Sequence, residues 1–410
     1  KEAEARIGVA AAGVKAQNAS QSPRLSLDGN YRYISEVPEV NLGPQELQLG
    51  YHHNASIGPT LSYEIYDGGV DSKATASNER NLRAEHKDRD GMRLRMIMDV
   101  RLAYARVQMG IEELHQVNES IRVVQAHLKD TQQRLKAGSA SRLELLAAQR
   151  EELQLNLRYS QTQTNLAEGL QHLGTLIGVT RFPEPMVPVG MRLKQASREA
   201  LNPNIVIDLE TMRTSLRRLQ TGVAREPNAQ HPSLQAWDDR LAAVRLMAES
   251  RDHESRPKVQ AFAKSTYEYP HGPLDETVWQ NAVGVSVSLT LYDGGLRQGL
   301  TAQKTAEAQI NAMKKSQILR GFQESWNNAR SRLDQMHTQA NILRDSIHRS
   351  QQEADLTAVN YRAGVANYLE VQRSNNQVLE ARTALLRLEA QMLVQLATLN
   401  YLSAPTEVQP

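Results

Sequence analysis

A tetrapeptide and a dipeptide recur in this sequence at one constant spacing. Tyr66-Asp67-Gly68-Gly69 returns as Tyr292-Asp293-Gly294-Gly295, and Ala137-Gly138 returns as Ala363-Gly364. Both recurrences are offset by 226 residues (292 − 66 and 364 − 138), so the two motifs keep their register without net insertion. A fixed period of this kind indicates one structural unit used twice rather than two independent domains.

The composition argues against thick globular cores and gives no support to several classes of function. Of 410 residues, 5% are aromatic and three are Phe, and the mean hydropathy is −0.54, so much of the surface should be wet. Lys plus Arg number 48 against 46 Asp plus Glu, interspersed, which argues against a nucleic-acid partner. Cys is absent, which excludes disulfides and thiolate metal ligands within these residues and suits an oxidising compartment.

The beginning of the chain does not have the pattern of a secretory signal. Residues 1–6 read Lys-Glu-Ala-Glu-Ala-Arg, and no apolar run reaches the roughly 20 residues of a spanning helix. We expect the chain to begin inside a helix that runs to about residue 20, with its first part and any signal peptide lying upstream.

Four segments alternate between apolar and polar residues and are predicted to be strands of about ten residues. An exposed loop is predicted over 34–55, between the first two strands. Strands of this kind fit a transmembrane β-barrel, although a four-stranded sheet packed on a helix would bury the apolar face equally well. Because four strands cannot close a useful barrel, the membrane interpretation requires several chains to share one wall. The side chains predicted to face lipid are Leu25, Leu27, Ile57, Leu61, Val285, Val287 and Leu289.

Each Asp-Gly-Gly motif is followed by a very long stretch without proline. Helices are predicted over 70–136 and 296–362, followed by short breaks at the Ala-Gly dipeptides and return helices to about Leu176 and Leu402. The last return helix carries an apolar residue at every seventh position, which predicts supercoiling against a neighbouring helix. A soluble antiparallel coiled coil would show the same helices. The heptad residues are Val371, Val378, Leu385, Met392 and Leu399.

The predicted fold is mainly α with a β portion, organised as a duplicated strand-strand-long helix-return helix unit. The first structural repeat spans 1–177 and the second spans 230–403. A proline-rich connecting segment lies at 178–229, and a tail at 404–410.

This order of elements, which occurs twice, resembles that of the TolC family of outer-membrane channel proteins over nearly the whole chain. The resemblance is carried by the two Tyr-Asp-Gly-Gly motifs and by Leu135-Lys136-Ala137-Gly138 and Tyr361-Arg362-Ala363-Gly364. It implies a homotrimer with a 12-stranded β-barrel through the Gram-negative outer membrane, in contact with lipid, and a 12-helix α-barrel in the periplasm. It also implies that Ala137, Gly138, Ala363 and Gly364 lie at periplasmic tips, where a periplasmic adaptor docks and the channel closes.

The same resemblance implies the position of a gate. Acidic residues at the position of Glu370 ring the constriction in that family, and a Tyr at the position of Tyr361 tethers inner to outer helices through the acid that matches Glu144. The alternative is that both acids are ordinary solvated helix residues. This chain departs from the pattern at Arg373, where some members have a second acid, and at Ala366, where some have an Arg. Arg142 or Arg362 is then a candidate to replace that Arg, unless the latch is absent.

These observations predict a passive exit duct that an adaptor joins to an inner-membrane transporter. The Tyr-Asp-Gly-Gly turns favour type I protein secretion over multidrug efflux. The turn residues are Asp67, Gly68, Gly69, Asp293, Gly294 and Gly295. A soluble coiled-coil scaffold is the alternative from a different class of function. The sequence holds no Gly-rich phosphate loop, Gly-x-Ser-x-Gly or His-Glu-x-x-His motif, so we predict no enzyme activity and no cofactor. Adjacent His52 and His53 in a polar loop are more typical of solvation than of a metal site.

Overall fold

The computed structural model describes residues 1–41, 46–48, 50–179, 210–222, 226–272 and 274–404. Most of the connecting segment predicted over 178–229, and all but the first residue of the predicted tail, lie outside these ranges. The chain forms two compact units, Lys1–Asp90 with Pro232–Ile318 and Gly91–His231 with Leu319–Pro410. Each unit takes segments from both sequence repeats, so the repeats and the compact units are different divisions of the chain.

The described helices and strands follow the predicted order. Both long helices have the predicted bounds, since each runs from an Asp-Gly-Gly turn to an Ala-Gly break without an intervening proline. None of the described helices is long and apolar enough to cross a membrane. In chain order the elements are α1 (Glu2–Ser20), β1 (Arg24–Tyr33), β2 (Glu39–Asn41), β3 (Glu46–Gln48), β4 (His53–Tyr66), α2 (Val70–Lys136), α3 (Arg142–Ile177), α4 (Met212–Thr221), α5 (Pro232–His253), β5 (Lys258–Tyr269), β6 (Val278–Ser288), α6 (Leu296–Arg362) and α7 (Tyr368–Leu402).

The first unit contains an antiparallel sheet in the order β1-β4-β5-β6, which leaves β1 and β6 at its two edges. The two hairpins have equivalent registers. Leu25 pairs with Leu61 in the first hairpin, and Val259 pairs with Val287 in the second. The offset is 234 between β1 and β5 (259 − 25) and 226 between β4 and β6 (287 − 61), so the duplication seen in the sequence is also a duplication of hairpin geometry.

One face of this sheet is apolar and exposed. Up to the irregularity at Glu64/Tyr66, the pairings join odd-numbered residues to odd-numbered ones and even-numbered residues to even-numbered ones, so the odd-numbered residues of all four strands share a face. Leu25 and Leu27 are 72% and 70% exposed there, and Ile57, Leu61, Val285 and Val287 are also exposed. Leu289 was predicted in the fourth strand but lies one residue beyond the end of β6, because its neighbour β5 begins at Lys258, which pairs with Ser288.

The loop predicted over 34–55 is partly ordered into strands. The short strands β2 and β3 pair with each other within it, and His53 already belongs to β4. The two histidines are exposed but partnered: His53 Nδ1 lies 2.7 Å from the Tyr31 hydroxyl, and His52 Nδ1 lies 2.8 Å from the carbonyl oxygen of Ile34. The described residues contain no group of three or more His, Cys, Asp or Glu placed to hold a metal ion.

Each Asp-Gly-Gly motif forms a tight strand-to-helix turn. Gly68 and Gly69 have φ values of +75° and +88°, and Gly294 and Gly295 have +66° and +88°, a region that favours glycine. Oδ1 of each aspartate closes the turn, since Asp67 accepts from the Gly69 N–H at 2.8 Å and Asp293 accepts from the Gly295 N–H at 2.9 Å. Oδ2 caps the helix that follows by accepting from the Asp71 N–H in the first motif and from the Arg297 N–H at 3.0 Å in the second. The predicted turns are therefore built twice with the same chemistry.

The second unit is held together by the apolar faces of its helices. Of the heptad residues predicted in α7, Val371, Val378, Met392 and Leu399 are buried. Leu386, Leu393 and Leu396 of α7 form a core cluster with three residues of α4. A second cluster joins α2 to α3 through Val107, Leu114, Leu166, Leu170 and Leu173. The seven-residue period of the sequence therefore marks a buried helical seam.

Candidate functional site

The two Ala-Gly breaks are exposed turns of the same geometry. Gly138 and Gly364 have φ values of +74° and +78°, and a Cβ at either position would meet nothing within 4 Å, so the backbone conformation rather than lack of space favours glycine. The Ser139 N–H donates to the Arg134 carbonyl at 2.8 Å, and the Val365 N–H donates to the Asn360 carbonyl at 2.9 Å. All four predicted tip residues, Ala137, Gly138, Ala363 and Gly364, are exposed.

Both predicted gate acids stand at the third residue of a return helix. The Glu144 N–H donates to Ser141 Oγ at 3.2 Å, and the Glu370 N–H donates to Asn367 Oδ1 at 3.0 Å. Glu370 also accepts from the Asn367 N–H at 3.4 Å, which completes a capping box. Glu370 is exposed, as is Arg373 one turn further on. An acid in the first turn also interacts favourably with the helix dipole, so both residues have a local structural role.

Tyr361 is buried at the end of α6 and is held by α2. Its hydroxyl lies 3.5 Å from Thr131 Oγ1. The Arg134 guanidinium carbon lies 4.6 Å from the centre of the Tyr361 ring, and Arg134 also donates to the Tyr361 and Arg362 carbonyls at 3.2 and 3.4 Å. Tyr361 is thus tied to the neighbouring hairpin through Arg134 and Thr131; among the described contacts no hydrogen bond joins it to Glu144.

A second tyrosine, Tyr368, makes the tyrosine-acid bond in this region. Its hydroxyl donates to Glu151 Oε2 at 2.9 Å, and both side chains are buried. Burial raises the pKa of Glu151, and the bond from Tyr368 and the charge of Arg150 oppose that rise. Burial also lowers the pKa of His127, whose ring centre lies 6.4 Å from that of Tyr368. The carboxylate therefore sits in a poorly hydrated site.

The structure brings Tyr361 together with residues that the sequence analysis did not assign to the gate. Tyr361 and Tyr368 meet edge to face with ring centres 6.2 Å apart, in a cluster with Ala148 and Val371. Among the described contacts, the guanidinium that lies over the Tyr361 ring is that of Arg134, and neither Arg142 nor Arg362 is seen to do so. A spacing of seven was the available signal, since Tyr368 follows Tyr361 and Glu151 follows Glu144 by one heptad each.

Comparison with protein families gives one match that covers most of the chain. The model of the outer membrane efflux protein family matches residues 1–179 and 223–404. The chain belongs to the outer membrane efflux protein family. Its members are passive outer-membrane channels rather than enzymes, and they extend into the periplasm. This favours the outer-membrane channel over a soluble coiled-coil scaffold.

Solved outer-membrane channels have the same fold at low sequence identity. VceC of Vibrio cholerae has a TM-score of 0.75 at 17% identity, covering 99% of this chain and 93% of its own. The Campylobacter jejuni channel CmeC gives 0.72 at 14%, covering 98% and 82%. The open state of Neisseria gonorrhoeae MtrE gives 0.69 at 15%, covering 99% and 87%. No individually curated protein matches the chain. The predicted resemblance to TolC-type channels is confirmed, and these identities support the fold alone.

Proposed function

We propose that three copies of this outer membrane efflux protein assemble into an exit duct, with the apolar sheet face against lipid. The observation that carries the proposal is the four-stranded sheet, which ends in two edge strands and leaves a row of large apolar side chains exposed. Unpaired edges and an exposed apolar face are liabilities in a lone soluble molecule. Pairing β6 of each copy with β1 of the next removes both edges.

The duplication predicts the register of that seam. Within one chain β4 pairs with β5, where the first repeat meets the second. Adding 226 to the residue numbers of β4 gives the equivalent residues of β6, and subtracting 234 from those of β5 gives the equivalent residues of β1. The contact between β4 and β5 therefore corresponds to one between β6 and β1 of the next copy. The observed pair Tyr63 with Ala261 then becomes Leu289 with Leu27 of the next copy. This assigns Leu289 a strand partner that a single chain does not provide.

A cysteine pair tests this register directly, because these 410 residues contain no Cys. Leu27→Cys with Leu289→Cys should form a disulfide between copies, since paired antiparallel residues have Cα atoms about 4.5–5.5 Å apart, within the range a disulfide needs. Non-reducing electrophoresis of outer membranes should show linked species that stop at three chains.

The matched control moves one cysteine along the same strand face. In Leu27→Cys with Val285→Cys the second thiol lies four residues away, about 13 Å in a strand, and should not link. Linkage in the control but not in the test pair would contradict the register. Linkage in neither pair, with the protein correctly inserted, would argue against the β6-to-β1 seam.

We further propose that the exposed turns at Gly138 and Gly364 form the periplasmic tips, which meet the adaptor and through it an inner-membrane transporter. Both turns are exposed and are closed by equivalent backbone hydrogen bonds, which suits a docking surface presented by each hairpin. In a trimer, Glu370 would form a threefold ring of carboxylates at the constriction, with Arg373 one helical turn away and Tyr361 and Glu144 on the supporting helices. A carboxylate ring of this kind favours cations.

Glu370→Gln should lower the preference of the channel for cations. Gln keeps the capping box but removes the charge, so the helix start is preserved while the ring becomes neutral. The reversal potential in a planar bilayer under a potassium chloride gradient should move toward zero. Glu144→Gln is the control at the equivalent position of the first hairpin. An unchanged reversal potential in Glu370→Gln removes this residue from the selectivity ring.

The proposed cargo is protein, exported by type I secretion, because the Tyr-Asp-Gly-Gly turns resemble those of secretion members. Efflux of small molecules is the second candidate, favoured by the description of the matching family. Co-purification of the inner-membrane transporter after mild cross-linking distinguishes them, since a protein-secreting transporter and a drug pump are different proteins.

A further inference from the structure

One large aromatic side chain lies on the polar face of the sheet. The even-numbered residues of the four strands share this face, and nearly all of them are charged, polar or small. Phe262 of β5 is the exception in the interior of the sheet, and it is 36% exposed. The two further exceptions lie at strand ends: Val278 is the first residue of β6, and Tyr66 is the last residue of β4. Phe262 therefore presents an apolar surface within an otherwise polar wall.

The ring of Phe262 lies over a glycine. Phe262 pairs with Ser62 of β4 and with Gly284 of β6, and a Cβ at Gly284 would lie 2.7 Å from its Cζ. An aromatic ring over a strand glycine can simply stabilise the sheet. The duplication argues against this as the only reason, because Gly58, the equivalent of Gly284, pairs with Asp28. The first hairpin thus reaches the same geometry with a carboxylate where the second has an aromatic ring.

Cationic side chains lie near the ring on the same face. Arg24 pairs with Ser62, so it lies two strands from Phe262, about 10 Å across the sheet. Lys264 follows Phe262 by two residues along β5, a distance of about 7 Å. One acid, Glu64, lies diagonally across from Phe262 on β4. Two cations and one acid leave the surroundings of the ring positively charged.

The proposed seam between copies adds a second arginine. The register of β4 with β5 sets residues 58 and 266 opposite each other, so the equivalent residues of the seam are Gly284 and Arg32 of the next copy (58 + 226 = 284 and 266 − 234 = 32). This arginine lies two strands from Phe262, as Arg24 does on the other side. Only Ser62 and Gly284, which are small, separate the ring from the two arginines. A flat anion could stack on the ring while its acid group meets a guanidinium.

We propose that Phe262, Arg24 and Arg32 of the next copy form a binding row for small aromatic anions on the inner wall of the β-barrel. The proposal rests on the duct proposed above, in which the odd-numbered face meets lipid and the even-numbered face meets the lumen. It names a class of solute for the second candidate cargo, and a trimer carries three such rows. Glu370 belongs to the other compact unit, so the preference for anions here is independent of the preference for cations proposed there.

Blockade of the ionic current by a matched pair of sulfonates tests the binding row. Benzenesulfonate and cyclohexanesulfonate carry the same charge, but only the first has an aromatic ring. Each is added to the side onto which the β-barrel opens in a planar bilayer, and the half-blocking concentration is measured. Stacking between aromatic rings strengthens binding by about two- to tenfold. Benzenesulfonate should therefore block the wild type at a concentration lower by that factor.

Three variants separate the ring from the charge. Phe262→Leu keeps an apolar side chain over Gly284 but removes the ring, so the two sulfonates should block it at the same concentration. Arg24→Gln should weaken the block by both sulfonates and keep the difference between them. Tyr267→Leu is the control, because Tyr267 is an aromatic residue of the same strand that pairs with Trp279 on the odd-numbered face. Its blockade should match that of the wild type, and trimer content on a gel is measured for every variant.

Failure of the binding row and failure of the duct give different results. A wild-type channel that conducts but is blocked equally by both sulfonates, or a blockade unchanged in Phe262→Leu, overturns the binding row and leaves the duct intact. A stronger block by benzenesulfonate that is lost in Phe262→Leu and kept in Tyr267→Leu supports it. A wild type that forms neither trimers nor channels overturns the proposed function and the binding row together.

Discussion

Leu61→Asp should abolish insertion of this channel protein into the outer membrane. Leu61 lies in the middle of β4, where it pairs with Leu25 on one side and with Ala263 on the other, all on the exposed apolar face. A charged residue on the lipid face of a barrel costs on the order of 2–4 kcal/mol at the midplane for Lys or Arg, and somewhat less for Asp. Each trimer would carry three such charges. Membrane fractionation and the yield of heat-modifiable trimer on gels measure the effect.

The next residue provides the control. Ser62 lies on the opposite face of the same strand, paired with Arg24 and Phe262, so Ser62→Asp places its charge on the side away from the apolar row and beside a cation. It should insert nearly as well as the wild type. If both variants insert equally, or fail equally, the odd-numbered face does not face lipid.

The helical part of the fold could be predicted closely from the sequence because its signals are local. Absence of proline over 70–136, glycine at positions that need positive φ, and an apolar residue every seventh position each act within one or two helical turns. The same applies to the turn aspartates, whose caps are formed by backbone groups two to four residues away. These signals therefore gave helix bounds and turn positions that the structure repeats.

Features that depend on distant residues were predicted less well. The end of β6 depends on where β5 begins, and no alternation within 283–291 reports that boundary. Glu151 and Tyr368 are 217 residues apart, and their contact depends on how α3 and α7 rotate about their axes. Arg134 lies one turn before the break on α2, and its contact with Tyr361 depends on how α2 and α6 lie beside each other, which no local spacing reports. Sequence spacing therefore placed the predicted gate residues on their helices, but it did not identify the side chains that contact them.

Gly58→Ala should prevent the sheet from forming in its native register. Gly58 is buried where β4 runs beside β5, and an added Cβ would overlap the backbone oxygen of Ser265 and lie 2.7 Å from the Thr266 Cα. Backbone atoms cannot swing aside as a side chain does, so the two central strands would have to separate. These strands join the two repeats within the chain, and overpacking at a site that cannot relax costs about 3 kcal/mol or more. Little folded trimer should remain.

The duplication supplies a matched control for this variant. Gly284 is the equivalent of Gly58, 226 residues later, and a Cβ there would lie 2.7 Å from Phe262 Cζ, the far end of a side chain that is 36% exposed. That ring can rotate away, so Gly284→Ala should cost less than about 1 kcal/mol, as a surface change usually does. Thermal dissociation of purified trimers, read as the loss of the folded band on gels, compares the two. Equal dissociation midpoints for Gly58→Ala and Gly284→Ala would mean that β4 and β5 approach each other less closely at Gly58 than the structure indicates. The register proposed for the seam between copies, which is derived from the pairing of β4 with β5, would then lose its support.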